Sequence, residues 1–358
     1  MKVAVIGAGP SGSHAAYRLA KAGYVVELFE EHKEIGLPIA CTGLVTKSLY
    51  DFVPRDKYYI INEMKSAKLI SKRNSAVVPL HEDIICRHKF DKWMAKRAES
   101  AGAKIFTNHR LAEINKNELA FISNGKTIKK EFDIIIGADG PISQTAKSAG
   151  LYGNRKFWIG MQVTIEGRFK KDQFEAYFGD ICPEFFAWVV PESNTLARVG
   201  IATLPENEPK KHFDAFIKKI GGKIKATQAG PIPWHKPKKV SKNSIYLVGD
   251  AAGLVKATTG GGIITGIWSS EILADCIINK KNYEWSLLPL RFELMLHNKL
   301  RSMLNKFKDR DYDELLRLIS TDNVKEVLKN NPREKPSKFA MALTLASPKL
   351  LKFAKFAI

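Results

Sequence analysis

The stretch Val3-Ala-Val-Ile-Gly7-Ala-Gly9-Pro-Ser-Gly12 constrains this chain more than any other. Four apolar residues, 3–6, predict a buried parallel strand, and residues 13–22 predict a helix directly after it. Between them, Gly7 permits a tight turn, Gly9 lets the backbone approach a pyrophosphate, and Gly12 lets the helix pack close to the strand. The helix N-terminus then offers free N–H groups to phosphates. A GxGxxG pattern alone is weak. Here a second strand, 24–29, follows and ends in Glu30, an acid placed to accept from a ribose hydroxyl. Strand, glycine turn, helix, strand and acid together describe a dinucleotide-binding β-α-β unit.

The chain has 358 residues, enough for two domains. At 45% hydrophobic and 26% charged it has the composition of a globular protein. No stretch approaches the ~20 apolar residues of a spanning helix, and the first strand starts at residue 2 or 3, so the expectation is an intracellular protein without a signal segment. Lys and Arg number 57 against 37 Asp and Glu, a net charge of +20. That balance suits an anionic membrane surface or acidic substrate, or equally a lysine-rich solvated surface. With no zinc-finger spacing and no RNA-recognition motif, nucleic acid is not an expected partner. The cysteines Cys41, Cys86, Cys182 and Cys276 form no CxxC pair, so no metal site is expected.

Residues 31–54 read as loop and short helix, broken by Gly36, Pro38 and Gly43. Residues 55–85 read as short strands. A helix follows Cys86, with Phe90, Met94, Ala98 and Ala101 on its apolar face, and Gly102 ends it. Then come a parallel-type strand (104–107), a meander with Asn124-Gly125 as a hairpin turn, and a buried strand running into Gly137-Ala-Asp139-Gly140. Antiparallel β with interleaved aromatics spans 158–202. Residues 205–225 read as a helix. A strand at 245–249 leads to Asp250, and Gly260-Gly261-Gly262-Ile263 opens a helix through Ala274. From Trp285 onward the chain reads as helical and basic.

Three strand-to-turn motifs, GAGPSG, IIIGADGPIS and YLVGDAAG, occur in that order. Together they resemble the FAD-dependent superfamily of aromatic hydroxylases and geranylgeranyl reductases. Pro38-Ile-Ala-Cys41-Thr-Gly43 resembles the P-x-x-C-x-G motif of the reductases, and Phe186-Ala-Trp188-Val-Val190-Pro191 resembles their Y-x-W-x-F-P motif. Phe stands for Tyr at 186 and Val for Phe at 190, while Trp188 and Pro191 match. The resemblance covers residues 2 to about 276.

It implies an α/β fold: a Rossmann-like FAD-binding domain (1–54, 81–150 and 240–280), an inserted antiparallel β substrate domain (55–80 and 151–239), and a helical C-terminal region (281–358). It implies that Gly7, Gly9, Ser11, Gly12, Glu30, Arg87, Asp250, Gly262 and Ile263 hold FAD. Arg87 opens the R-x-x-F-D pattern, with Phe90 and Asp91. The main chain of Leu111 would lie beside the adenine, and Cys41, Thr42 and Gly43 would pass the flavin ring. Phe186, Trp188 and Pro191 would bind a prenyl chain.

The implied activity is reduction of isolated C=C bonds in geranylgeranyl chains of archaeal-type ether lipid precursors, in membrane lipid biosynthesis. An aromatic hydroxylase or monooxygenase on the same fold is the alternative. An isolated alkene needs a hydride source, a proton source and a dry slot. Cys41, the expected catalytic residue, has three roles open to it: proton donor, flavin tuning, or alkene positioning. The external electron donor is a ferredoxin, a nicotinamide or a deazaflavin. A lipid substrate implies a cytoplasmic protein, peripheral at the inner face of the cell membrane. The tail 338–358 alternates apolar and basic residues, which fits either a helix packed on the body or a segment in the membrane interface.

Overall fold

A computed structural model describes residues 1–234, 239–331 and 333–356; the last two residues of the tail, 357 and 358, lie outside it. The N-terminal β-α-β unit forms as its sequence requires. The strand Lys2–Ile6 enters the helix Pro10–Lys21, and the strand Val25–Phe29 returns parallel to the first. Gly7 turns at φ +101°, and a Cβ there would fall 2.4 Å from the Ala138 carbonyl oxygen. A Cβ on Gly12 would fall 1.9 Å from the Gly7 oxygen, so only glycine lets this helix rest on its own turn.

Six strands form the first sheet, in the order Ser241–Lys242, Ile245–Leu247, Ile134–Gly137, Lys2–Ile6, Val25–Phe29 and Lys104–Phe106. All pair in parallel except the first edge strand. One face packs on the helices Pro10–Lys21 and Ile263–Ile278 through Val3, Val5, Ala15, Ala16, Leu19 and Leu273. The other face, with Ala4, Ile6, Phe29 and Ile135, is covered by the three-stranded meander Arg110–Asn115, Glu118–Ser123 and Lys126–Glu131. Its Asn124-Gly125 turn has positive φ at both residues, as a type I′ hairpin needs.

The second sheet has eight strands: Lys223–Trp234, Lys156–Glu166, Leu196–Thr203, Phe186–Pro191, Gln173–Tyr177, Ile60–Ile70, Ser75–Ile85 and Leu44–Thr46. Registers align Gln228, Gln162, Gly200, Trp188, Ala176 and Leu69 in one row across six of them. A Cβ on Gly200 would sit 2.6 Å from Trp188 Cζ2, so the indole lies over the space that glycine leaves.

Three features differ from the sequence expectation. The strands within 55–85 are not short but form a hairpin with two eleven-residue arms. The helix expected to reach residue 225 is Pro209–Ile220, after which Gly221 and Gly222, both at positive φ, turn the chain into the strand Lys223–Trp234. That strand carries Pro231 and Pro233, which are tolerated because it is the sheet's edge. The strand Ser75–Ile85 runs through the domain boundary expected at residue 81, and Leu44–Thr46 also joins this sheet, so the β layer takes more of the chain than expected.

Beyond residue 281 the described chain is helical: Tyr283–Ser286, Leu288–Leu304, Asp309–Ile319, Asp322–Asn330, Pro336–Ala346 and a final 3₁₀ stretch, Pro348–Phe356. The fully buried Arg301 joins this layer to the rest, donating to the carbonyls of Ala257 (3.0 Å) and Thr258 (2.7 Å) with its guanidinium over the Phe185 ring. No helix among the described residues is long and apolar enough to cross a membrane.

Candidate cofactor and substrate site

The two sheets and the C-terminal layer enclose a cavity of about 450 Å³, within the ~300–1,000 Å³ of small-ligand clefts. Two helices begin at its wall. Gly9, Pro10 and Ser11 bring the start of Pro10–Lys21, and Gly262, Ile263 and Ile264 bring the start of Ile263–Ile278. Neither helix has a side-chain cap or an acid in its first turn. Free N–H groups and two positive dipole ends therefore converge on one space, an arrangement that favours anionic oxygens. A Cβ on Gly9 or on Gly140 would meet no protein atom within 4 Å. This is the cradle a dinucleotide needs: open at Gly9 where a pyrophosphate approaches, closed at Gly7 and Gly12 where strand and helix touch.

Asp250 also lines the cavity. Burial pushes its carboxyl above the usual range, while Arg87 and Arg155 pull it back down. A Cβ on Gly262 would fall 2.4 Å from Asp250 Oδ1, which gives that glycine a reason of its own. Asp139 behaves differently. It accepts from Ser143 Oγ, Thr145 N and Thr145 Oγ1, so it anchors the short helix Gln144–Ser148 instead of facing the cavity. Arg155 donates to the carbonyls of Pro141, Asp250 and Ala251, tying the second and third glycine motifs together.

Glu30 sits at the end of its strand, but its carboxylate is already engaged, accepting from Ala8 N (2.9 Å) and from His32 N (3.0 Å). It holds the glycine turn and is not part of the cavity wall. Arg87 is in the wall. Its Nε and Nη2 form a fork onto Asp91 at 2.9 and 2.8 Å, and Arg87 and Cys41 both face the cavity. Leu111 is away from the cavity, buried among Phe29, Phe121 and Leu119, with its main chain paired to Phe121.

The cysteine loop forms one side of the cavity, with Pro38, Ala40, Cys41, Thr42 and Gly43 all exposed to it. Cys41 N donates to Gln228 Oε1 at 3.3 Å, and Cys41 Sγ accepts from Gly43 N at 3.3 Å. Thr42 Oγ1 donates to Gln162 Oε1 at 2.7 Å. The buried Arg198 holds the loop from behind. It donates to the carbonyls of Thr42 and Ile85 and is neutralised by Glu192 at 2.6 Å. Gly43 is at φ +71°, with Ile85 O and Arg198 Nη1 where a Cβ would go.

Opposite the loop, Phe186, Trp188 and Val190 share the inward face of their strand with Phe174, Ala176 and Phe185 nearby. Period-two alternation puts the Pro191 side chain on the other face, so Val190 and not Pro191 lines the cavity; the Pro191 carbonyl accepts from Asn62. Apolar walls meet the polar cradle in one continuous space.

Sequence reasoning missed several wall residues. Gln162 is a polar residue in a strand of the antiparallel β region, and Gln228 lies just beyond the expected helix, in the strand Lys223–Trp234. Lys256 lies under the glycine run, its Cε 3.1 Å from where a Gly261 Cβ would be. It pairs with Glu334 at 2.6 Å, and both are buried. Glu334 also accepts from Thr46, and its neighbour Arg333 pairs with Glu82. His297 bonds Thr258 Oγ1 through Nδ1 at 2.7 Å beside this cluster. The polar atoms Gln162 Nε2 and Thr259 Oγ1 are buried here without partners. Gly200 carried a readable signal, as an isolated glycine in a strand; Glu334 carried none.

Comparison with known proteins agrees with this geometry. Residues 5–48 match a NAD(P)-binding Rossmann-like domain family, and residues 76–279 match an FAD binding domain family. The chain is 28% identical to digeranylgeranylglycerophospholipid reductase of Methanococcus vannielii, over 99% of this chain and 97% of that protein. It is 32% identical to the chloroplastic geranylgeranyl diphosphate reductase of Oryza sativa subsp. japonica, over 78% of this chain and 66% of that one. Among solved structures, a geranylgeranyl bacteriochlorophyll reductase-like protein from Thermoplasma acidophilum superposes with a TM-score of 0.87 at 24% identity, covering 100% of this chain and 99% of that one. At that identity the likeness speaks for the fold.

Proposed function

The chain belongs to the geranylgeranyl reductase family of FAD-dependent oxidoreductases, and from that premise we propose that it saturates isolated double bonds in the geranylgeranyl chains of glycerophospholipid precursors. The observation that carries this reading is the cavity itself. Two uncapped helix starts, a cysteine loop and an aromatic-lined slot all face one enclosed space.

FAD is the cofactor, and its reduced ring supplies the hydride for such a reduction. Gly9 leaves open space for its pyrophosphate, and the N–H groups of Gly9 and Ser11 at the helix start would face it. Gly262, Ile263 and Ile264 present the positive end of a helix to the negative charge of a reduced ring. Asp250 accepts from cofactor hydroxyls, and Arg87 provides a cation beside it. Glu30, by fixing Ala8, shapes the turn and keeps a lone pair for a ribose hydroxyl. Cys41 lines the cavity together with Arg87 and the aromatic wall, and we assign its Sγ as the proton donor to the alkene. Phe186, Trp188 and Val190 exclude water from the alkene and orient the chain against the cysteine loop. The electron donor is external, and the enzyme works at the inner surface of the cell membrane, where its substrate resides.

The test is anaerobic. The FAD-loaded protein is reduced with dithionite and given a geranylgeranylated glycerophospholipid, and the lipid is read by mass spectrometry. Stepwise gain of hydrogen pairs is expected, with Cys41→Ala reducing little while still holding FAD. A flavoprotein that reduces and reoxidises but leaves the lipid unchanged would overturn the assignment.

A further inference from the structure

The exposed large apolar side chains crowd into the C-terminal layer. Trp285 is 73% exposed, Leu288 46%, Phe292 51% and Met295 37%. They follow one another at offsets of three, four and three along Tyr283–Ser286 and Leu288–Leu304, so they form one outward stripe. The buried side of the same helix carries Leu290, Leu294, His297 and Arg301. A second helix, Pro336–Ala346, lies beside the first, pinned where Ser337 N and Oγ donate to Glu293. It shows Met341 at 75% and Leu345 at 74% exposure. Elsewhere on the described surface such residues are single or, like Met1 and Val25, paired at a strand start, which is ordinary. A concentrated patch of this kind marks an interaction face.

Charge identifies the occupant. From Lys335 to the end of the chain there is no acidic residue, and Lys338 and Lys349 are exposed at the edge of the patch. On the longer helix Lys299 continues the stripe, and the lone acid, Glu293, is buried against Ser337. An apolar centre with an indole and a rim of lysines is complementary to the head-group region of an anionic bilayer. The patch also adjoins the cavity, because Arg333 and Glu334 line the cavity and the second helix begins two residues later.

We propose that Trp285, Leu288, Phe292 and Met295, with Met341 and Leu345, form a face that docks on an anionic membrane surface beside the cavity. The proposal rests on the lipid-reductase reading and names where that enzyme meets its membrane.

The experiment uses the full-length, FAD-loaded protein and sucrose-loaded vesicles of phosphatidylcholine, with and without phosphatidylglycerol. The wild type sediments with the anionic vesicles. Replacing Phe292, Met341 and Leu345 together by Ser lowers partitioning at least about tenfold. Lys338→Gln with Lys349→Gln lowers it only towards the value for neutral vesicles. Each variant reduces a detergent-dispersed geranylgeranyl substrate as the wild type does, which separates failure of docking from failure of the reductase reading. Met341→Ser alone touches little of the fold and gives a smaller loss should the triple variant not fold. Wild type left in the supernatant with both vesicles, or variants that bind like wild type, overturns the proposal. So does a dimer in solution that the triple variant abolishes, since the face would then belong to a second copy.

Discussion

Trp188 Nε1 donates to Gln162 Oε1 at 2.8 Å, and Thr42 Oγ1 donates to the same oxygen at 2.7 Å. An indole nitrogen only donates, so the amide has one possible orientation here. One carboxamide thus fastens the cysteine loop to the aromatic wall of the slot, and leaves its own Nε2 buried without a partner. Replacing Gln162 by Met strands two donors, the buried indole N–H of Trp188 and the half-buried hydroxyl of Thr42. We expect a loss of about 1–3 kcal/mol, read from urea unfolding, together with lower turnover as Trp188 loosens. Trp188→Phe keeps the ring and loses one bond, for about 1 kcal/mol.

Gly9 and Gly12 are three residues apart and predict opposite defects. Gly9→Ala meets no protein atom within 4 Å, so the protein folds with near-normal stability but purifies with little FAD, as flavin absorbance per chain would show. Gly12→Ala places a Cβ 1.9 Å from a backbone oxygen, so it yields less folded protein whether or not FAD is added.

Gly200→Ala drives a methyl to 2.5 Å from Met161 O and 2.6 Å from the Trp188 ring. The neighbouring strand and the indole must both shift, at a cost of about 1–3 kcal/mol. FAD content should hold while reduction of a prenyl substrate falls steeply, with KM affected more than FAD affinity.

The Lys256–Glu334 pair is buried on both sides. Glu334→Gln leaves the ammonium uncompensated and should cost about 3–5 kcal/mol. Burial raises the Glu334 carboxyl, but Lys256 and Arg333 outweigh it and hold it at about 2, below its ordinary 4.5. Its contribution is therefore complete above pH 4.5 and drains away as the pH falls towards 2. His297 is held at about 4 by burial and by Lys256, below its ordinary 6.5. Its neutral form is favoured by folding, so that contribution is complete above pH 6.5 and is lost on the way to pH 4. Urea midpoints should fall in both windows, and Glu334→Gln should remove the lower one.

The features legible in the sequence were those in which a few adjacent residues suffice. The glycine turn, the meander with its Asn124-Gly125 corner and the cysteine loop each read correctly because local geometry demands those residue types. The strand Lys223–Trp234 did not. Its alternation is weak because most of it faces solvent at the sheet edge, and Pro231 and Pro233 read as breakers. Gln228 was lost with it. Lys256, Glu334 and Gln162 were illegible for another reason. A buried polar residue is explained by its partners, and those partners come from strands and helices scores of residues away. Pro191 was placed by motif; strand alternation faces it away from the slot.

Glu334 grips Lys256 at the cavity wall, and two residues later the chain starts the helix that carries Met341 and Leu345. That helix is therefore tied to the wall through a small set of polar contacts, Glu334 with Lys256 and Thr46 and Arg333 with Glu82. A ligand in the slot that tightened this wall would hold the helix more firmly, and by reciprocity a surface that held the helix would favour the ligand equally.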